Sequence, residues 1–333
     1  MTGNSAGKYP PKIGFSDRIK VIFCGVIILG LFLCGLISAG SVLQEKKDTV
    51  FLISPVPDGS RVSEILDSEK NTRNPAEVCF YRNMGLEKIS QKDYSRSTEV
   101  FAAGLVGNET IFDWRLRGFA EDDREGCVID RRTADILFGS CQPGGKIEFQ
   151  GREYTVRKVL SFSQQVLYIR PQKDKKLTYD RVFIRDDTEG FLMRNGLSGK
   201  KQNTGFIRIV MISMVFLLPV DVSLRIMGKR KGKTGAVRTA WTLLGVAVLT
   251  VVLWKMISLL DIPGDWIPGK WSDFGFWQRK IWEMSENIRL YFMLPKTPAE
   301  AEGILSLGKT ALFTGTGYIF YLNKLHFFRE NAK

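Results

Sequence analysis

The run Ile19–Leu43, 25 apolar residues interrupted only by Lys20, decides more about this chain than any other stretch. An α-helix of about 20 residues crosses the hydrocarbon core of a bilayer, so the run predicts a membrane helix over 19–43. The apolar core of a cleaved secretory signal is only about 7 to 15 residues long, and the run is read as a retained anchor. A mean hydropathy of -0.06 conceals it, because that value averages a polar middle with several apolar runs. Within the helix Gly30, Cys34 and Ser38 recur every fourth residue, which suits either close approach of a neighbouring helix or a lipid-facing surface.

Three further runs follow a long polar gap. Phe206–Met227 has Arg208, Asp221 and Arg225 near its ends and Pro219 inside, leaving only Ile209–Val220 continuously uncharged. Thr239–Leu260 holds Lys255 near one end, and the fourth helix, over 304–323, holds Lys309 near its beginning. Both lysines can extend to the headgroups. Charge orients the set. Residues 1–20 carry Lys8, Lys12, Arg18 and Lys20 against Asp17, and residues 227–238 carry Lys229, Arg230, Lys231, Lys233 and Arg238 with no acid. The tail from Lys324 is also basic. Basic excess in short loops marks the cytoplasmic side, so both termini and the 228–238 loop are expected inside. Residues 45–205 hold 27 basic and 25 acidic residues, a near balance that gives no reason to invoke nucleic acid despite the overall charge of +13.

The expected architecture is a membrane protein with four transmembrane α-helices and a large α+β extracytoplasmic domain inserted between helices 1 and 2. Its segments are a disordered cytoplasmic N-terminus (1–18), helix 1 (19–43), the outer domain (44–205), helix 2 (206–227), a basic loop (228–238) and helix 3 (239–260). An outer aromatic segment (261–303), helix 4 (304–323) and a cytoplasmic tail (324–333) complete it. Within the outer domain, strands are expected at Asp48–Ile53, Ala76–Tyr81, Thr98–Ala102, Thr110–Arg115, Gln165–Arg170 and Arg181–Arg185, giving an α+β sandwich.

Gly118–Leu160 is the richest part of that domain. Cys127–Asp130 is a short strand, and Arg131–Phe138 brings Ala134, Leu137 and Phe138 to one helical face before Gly139 ends the turn. After a turn at Pro143, Gly144 and Gly145, the alternations Ile147/Phe149 and Tyr154/Val156 flank Gly151 as a hairpin. At Gly118, Phe119, Asp122, Asp123, Ala134, Leu137, Phe138, Gly139, Gly145, Ile147, Gly151, Val156 and Val159 the sequence resembles the extracytoplasmic domain of the MacB and FtsX-like permease family.

The resemblance implies one helix, an outer domain and three more helices. It also implies a non-catalytic permease-like subunit of an ABC-type complex in the cytoplasmic membrane. Such chains pair as homo- or heterodimers and bind a separate cytoplasmic ATPase, whose cycle moves outer domains acting on lipid, lipoprotein, peptide or an envelope enzyme. The chain departs from the family between spans two and three, where Met227–Arg238 replaces the usual coupling helix. An uncoupled sensor or scaffold of the same architecture is therefore the alternative, with Lys229, Arg230, Lys231 and Lys233 either meeting the ATPase or holding anionic lipid.

Between spans three and four, Phe274, Trp277, Ile281, Met284, Ile288 and Tyr291 step by three and four residues with Arg279, Lys280, Glu283 and Glu286 between them. This predicts an amphipathic helix, lying in the outer headgroup layer or packed on the base of the domain. Gly303–Thr310 satisfies the phosphate-loop pattern G-x-x-x-x-G-K-T, but it follows Pro298-Ala-Glu-Ala-Glu rather than a strand and runs into an apolar span, so it is read as a chance match. His326 lies in the basic tail, no cysteine spacing suggests zinc, and the Glu121–Glu125 run lacks a calcium loop. No cofactor, metal or catalytic residue is expected. Single-cysteine labelling of intact cells should modify position 164 from outside and spare position 231; the reverse would overturn the orientation.

Overall fold

The computed structural model describes residues 15–44, 47–91, 93, 95–118, 123–171, 177–202, 205–228, 235–259, 270 and 272–330. In chain order it runs α1 (Phe15–Gln44), β1 (Asp48–Ser54), α2 (Gly59–Lys70), β2 (Glu77–Gln91), β3 (Arg96–Gly107), α3 (Glu109–Phe112) and a 3-10 turn (Trp114–Leu116). Then come β4 (Gly126–Asp130), α4 (Arg131–Phe138), β5 (Lys146–Phe149), β6 (Arg152–Leu160), β7 (Val166–Ile169), β8 (Arg181–Arg185), α5 (Thr188–Arg194) and β9 (Ser198–Gln202). The helices α6 (Gly205–Gly228), α7 (Gly235–Leu259), α8 (Phe274–Met293) and α9 (Pro298–Glu330) follow. The chain divides into two compact units, one helical (1–44, 207–267 and 305–333) and one built on the sheet (45–206 and 268–304).

Nine strands form the sheet in the order β3-β7-β4-β6-β5-β2-β8-β1-β9, and β3 also pairs along β2. Six strands therefore close into a ring, sealed between β2 and β5 at Ser90 and Glu148, in place of the expected sandwich. The length of β2 makes this possible. Its first residues pair with β8 and its last reach β5, while the register against β3 slips between Asn83 and Gly85. An extra residue on one strand bends it and increases its twist, so one 15-residue strand serves two neighbours on the same edge.

Side chains alternate across a strand, and here both faces are covered. Cys127, Ile129, Leu167 and Ile169 join Ala134, Leu137, Ile147, Phe149 and Val156 in one core. Val128, Val166 and Tyr168, with Cys79 and Tyr81, fill a second core with Ile111, Phe112 and Leu116. Val78 and Phe80 turn to a third core under α2 and α5. Double burial is why β4 and β7 are buried at every position and show no polar alternation.

Most expected strands are present, several of them longer than anticipated, but Thr110–Arg115 is not a strand. Asn108 accepts from Thr110 N at 3.2 Å and Asp113 accepts from Arg115 N at 2.9 Å, two caps that turn the segment into α3 and the 3-10 turn. The helices α2 and α5 and the edge strand β9 are additional to the expected elements.

In the helical unit, α1, α6 and α7 each contain a stretch long and apolar enough to cross a membrane: Ile22–Gly40, Gly205–Arg225 and Thr239–Leu259. The charges late in α6 offset each other, with Arg225 Nε 2.7 Å from Asp221 Oδ2 one turn earlier. The first and last helices pack closely. A Cβ at Gly35 would lie 2.6 Å from Thr314 Cγ2, Gly317 sits against Leu31, and Ser38 Oγ donates to Ser306 O at 3.4 Å. Of the Gly30, Cys34 and Ser38 stripe, only Ser38 reaches that contact. Gly30 faces open space and Cys34 is exposed, so the closest approach falls one residue around the helix.

Gly107 ends β3 at φ +112°, and an added Cβ would press on the Val78 carbonyl oxygen across the hairpin. Gly107→Ala should lower stability by about 1–3 kcal/mol, as expected for a strained left-handed residue. Chemical unfolding of the detergent-solubilised chain, followed by loss of protease resistance in the sheet unit, measures it.

Candidate functional site

The residues that carry the family resemblance converge on the first core. Ala134, Leu137 and Val156 are buried there and Phe138 packs against it, while Gly145 leaves room for the Phe138 ring, 2.5 Å from where a Cβ would stand. Asp130 caps α4, accepting from Thr133 N at 3.0 Å and from Val166 N of β7 at 2.9 Å, and Gly139 closes the helix at φ +68°. Gly118 and Gly151 also take positive φ, the latter in the β5–β6 turn. Phe119 lies outside the described residues, as do Asp122 and the basic loop residues Lys229, Arg230, Lys231 and Lys233. The described residues among them shape the turns and the first core of the fold.

The polar feature that stands out in the sheet unit is the docking of the segment 294–302. Thr297, Pro298 and Glu300 form a reciprocal cap: Thr297 Oγ1 accepts from Glu300 N at 3.2 Å and Glu300 Oε2 accepts from Thr297 N at 2.8 Å. Pro298 occupies the first helical position of α9, where its missing N–H costs nothing. Arg181 of β8 receives this cap. Its side chain is 1% exposed, its Nη1 lies 3.5 Å from Glu300 Oε2, and its Nη2 donates to Pro295 O at 2.9 Å. The guanidinium lies over the rings of Phe51, 4.4 Å from the centroid, and Tyr81, at 5.5 Å.

A second arginine grips the same turn. Arg115 Nη2 lies 2.6 Å from both Asp113 Oδ2 and Glu302 Oε2, Nη1 donates to Ser161 O at 2.8 Å, and the plane covers Phe162 at 4.3 Å. Ser163 N donates to the other Glu302 oxygen at 3.0 Å. Burial alone would lower the Arg115 pKa, but Asp113 and Glu302 together raise it above its usual range and hold it charged. Burial pushes the hydroxyls of Tyr81 and Tyr291 up, so both stay neutral. Two carboxylates two residues apart are thus held by two arginines from separate parts of the domain, and Ala299 just before them packs on the second core. The sequence signal was the Thr297-Pro298-Ala299-Glu300 cap; the arginine partners had none.

The expected amphipathic helix is α8, but its stripe divides. Trp277, Met284 and Ile288 are half-buried and Tyr291 is buried, whereas Phe274 and Ile281 are exposed. Gly303–Thr310 lies wholly inside α9, where its amides are committed to helix hydrogen bonds and cannot cradle a phosphate. Among the described residues no three His, Cys, Asp or Glu side chains group as metal ligands. All five cysteines are free.

No protein-family model and no curated protein matches the chain. Among solved structures, the extracellular domain of the noncanonic ABC-type transporter YknZ from Gram-positive bacteria is similar to 45% of this chain over 89% of its own length, with 16% identity and a TM-score of 0.33. The periplasmic region of MacB from Actinobacillus actinomycetemcomitans is similar to 47% of this chain over 87% of its own length, with 16% identity and a TM-score of 0.35.

Arg181→Met should destabilise the sheet unit by roughly 3–5 kcal/mol, because it leaves the Glu300 carboxylate buried without its partner. Adding Glu300→Gln should recover much of that loss. Chemical unfolding of the four chains of the cycle checks both, and equal effects with and without Glu300 would remove the coupling.

Proposed function

We propose that the chain is the permease-like subunit of an ABC-type complex in the cytoplasmic membrane, carrying motion from a separate ATPase to an outer domain. In this reading α9 is the fourth span, crossing over 304–323, both termini are inside, the sheet unit is outside, and two such chains pair. The observation that supports it best is the continuity of α9. This 33-residue helix begins in the buried arginine grip of the sheet unit and continues through the apolar run Ile304–Leu322. At about 1.5 Å per residue it is roughly 50 Å long, enough to join an outer domain to the opposite face of a bilayer of about 30 Å hydrocarbon.

A helix fixed at one end in a folded domain moves with that domain. A cytoplasmic partner whose ATP-bound state favours one arrangement of the helices would bias the outer domain by the same free energy. Nucleotide chemistry is assigned to the partner, since the one phosphate-loop pattern is helical along its whole length. The outer domain would then act on lipid, lipoprotein, peptide or an envelope enzyme.

The experiment is recovery of an ATPase with the affinity-purified chain from its own membranes, beside a chain with Lys229, Arg230, Lys231 and Lys233 replaced by Ser and its orientation checked. The expected result is a co-purifying ATPase, several-fold depleted in the variant. Recovery of none, or undiminished recovery by the variant, would move the assignment to an uncoupled sensor or scaffold.

A further inference from the structure

Helix α8 has three faces. Trp277, Met284 and Ile288 are half-buried and Tyr291 is fully buried. Arg279, Glu283 and Glu286 make a polar side. The third face holds Phe274, Ile281, Trp282, Phe292 and Met293, between 62 and 83% exposed, which fall within about 120° of arc at 100° per residue. Among the described residues these five side chains stay largely uncovered, Phe292 touching only the rings of Phe206 and Tyr291 among the aromatic residues. Gln278, Ser285 and Arg289 stand exposed among them.

Two links within this unit fix the level of the C-terminal end of α8. The Phe206 ring packs edge-on to Tyr291, with centroids 5.4 Å apart, and lies 6.4 Å from Phe292. Phe206 is the second residue of α6, whose stretch Gly205–Arg225 is apolar and long enough to cross a membrane. On the other side, Pro298 follows Met293 by five residues, and the six-residue rise from Pro298 to Ile304 is about 9 Å of helix. The polar layer on one side of a bilayer is about 5–8 Å thick. The first link brings Phe292 to the depth of the headgroups, and the second sets Pro298 just above that layer.

We infer that α8 lies in the outer headgroup layer with Phe274, Ile281, Trp282, Phe292 and Met293 turned into the bilayer, and that the sheet unit rests on the lipid surface through this helix. The inference rests on the reading that α6 and α9 cross the membrane. A Trp and several large apolar side chains at the acyl boundary, with arginines at phosphate level, are what an in-plane helix needs. The half-buried face ties that helix to its unit through Tyr291, whose ring also lies under Lys296 Nζ at 4.1 Å. The occupant of the exposed face is thus lipid, and α8 holds the domain at a fixed height.

The test places a benzophenone amino acid at Ile281, Phe292, Met284 or Ile319, one per full-length chain, in nanodiscs of phosphatidylethanolamine and phosphatidylglycerol. Ile319 lies in the apolar run of α9 and is 59% exposed, so it reports on spanning alone. Irradiation should give lipid-mass adducts at Ile281, Phe292 and Ile319, and several-fold fewer at Met284. A cross-linked dimer without lipid adduct at Ile281 and Phe292, or no adduct at either while Ile319 reacts, overturns the inference and leaves the spanning reading in place. Absence of a lipid adduct at Ile319 overturns both. Using two exposed positions keeps the test decisive where one substitution misfolds.

Discussion

A guanidinium buried to 1% exposure is expensive unless its charge and donors are answered, and Arg181 organises much of the sheet unit on that account. Its answers come from four places: the Glu300 carboxylate, the Pro295 carbonyl, the rings of Phe51 and Tyr81, and Asp180, whose carboxylate stands 3.4 Å from Nε. None of these alone would hold the charge. Together they oblige β1, β2, β8 and the beginning of α9 to meet at one point. Arg115 repeats the device more openly, with Asp113, Glu302 and the Ser161 carbonyl. The segment after α8 is therefore an integral part of the domain, though most of the domain precedes it by a hundred residues or more.

The elements with a local cause were legible in the sequence. Ala134, Leu137 and Gly139 disclosed α4 because amphipathic spacing and a left-handed stop are local, and Gly151 disclosed the β5–β6 hairpin for the same reason. Three apolar helices could be read because the bilayer's demand for length and hydrophobicity is written residue by residue. The ring closure was not legible. It depends on a slip of register between Asn83 and Gly85 that only the pairing partner defines. Nor was α3, since Ile111 and Phe112 look like strand residues until Asn108 and Asp113 are seen to cap them. The arginine junction lay half in view: the Thr297–Glu300 cap is local, while Arg181 and Arg115 are ordinary basic residues until the fold buries them.

The strands meet two demands at once. β2, β4 and β7 send alternate side chains into different cores, so a residue's neighbour in sequence often belongs to another core altogether. A shift by one position would exchange Cys79 and Tyr81 for Val78 and Phe80, and the aromatic cluster around Phe112 would lose its fit; Tyr81 stacks on that ring at 5.4 Å and Phe183 meets it at 5.1 Å. Register is therefore held by shape as well as by polarity, in a sheet with little polar face to guide it.

The arginine grip also sets an order of events during biosynthesis. Arg181 and Glu300 are separated by 119 residues, and α6 and α7 lie between them. At translation rates of about 5–20 residues per second, the carboxylate leaves the ribosome roughly 6–24 seconds after its partner. For that interval Arg181 has Asp180 and the rings of Phe51 and Tyr81 beside it but lacks the Glu300 carboxylate and the Pro295 carbonyl. The junction is complete only when the returning segment delivers Glu300 and the Pro295 carbonyl, so the last polar contacts of this domain wait for residues made after two apolar helices.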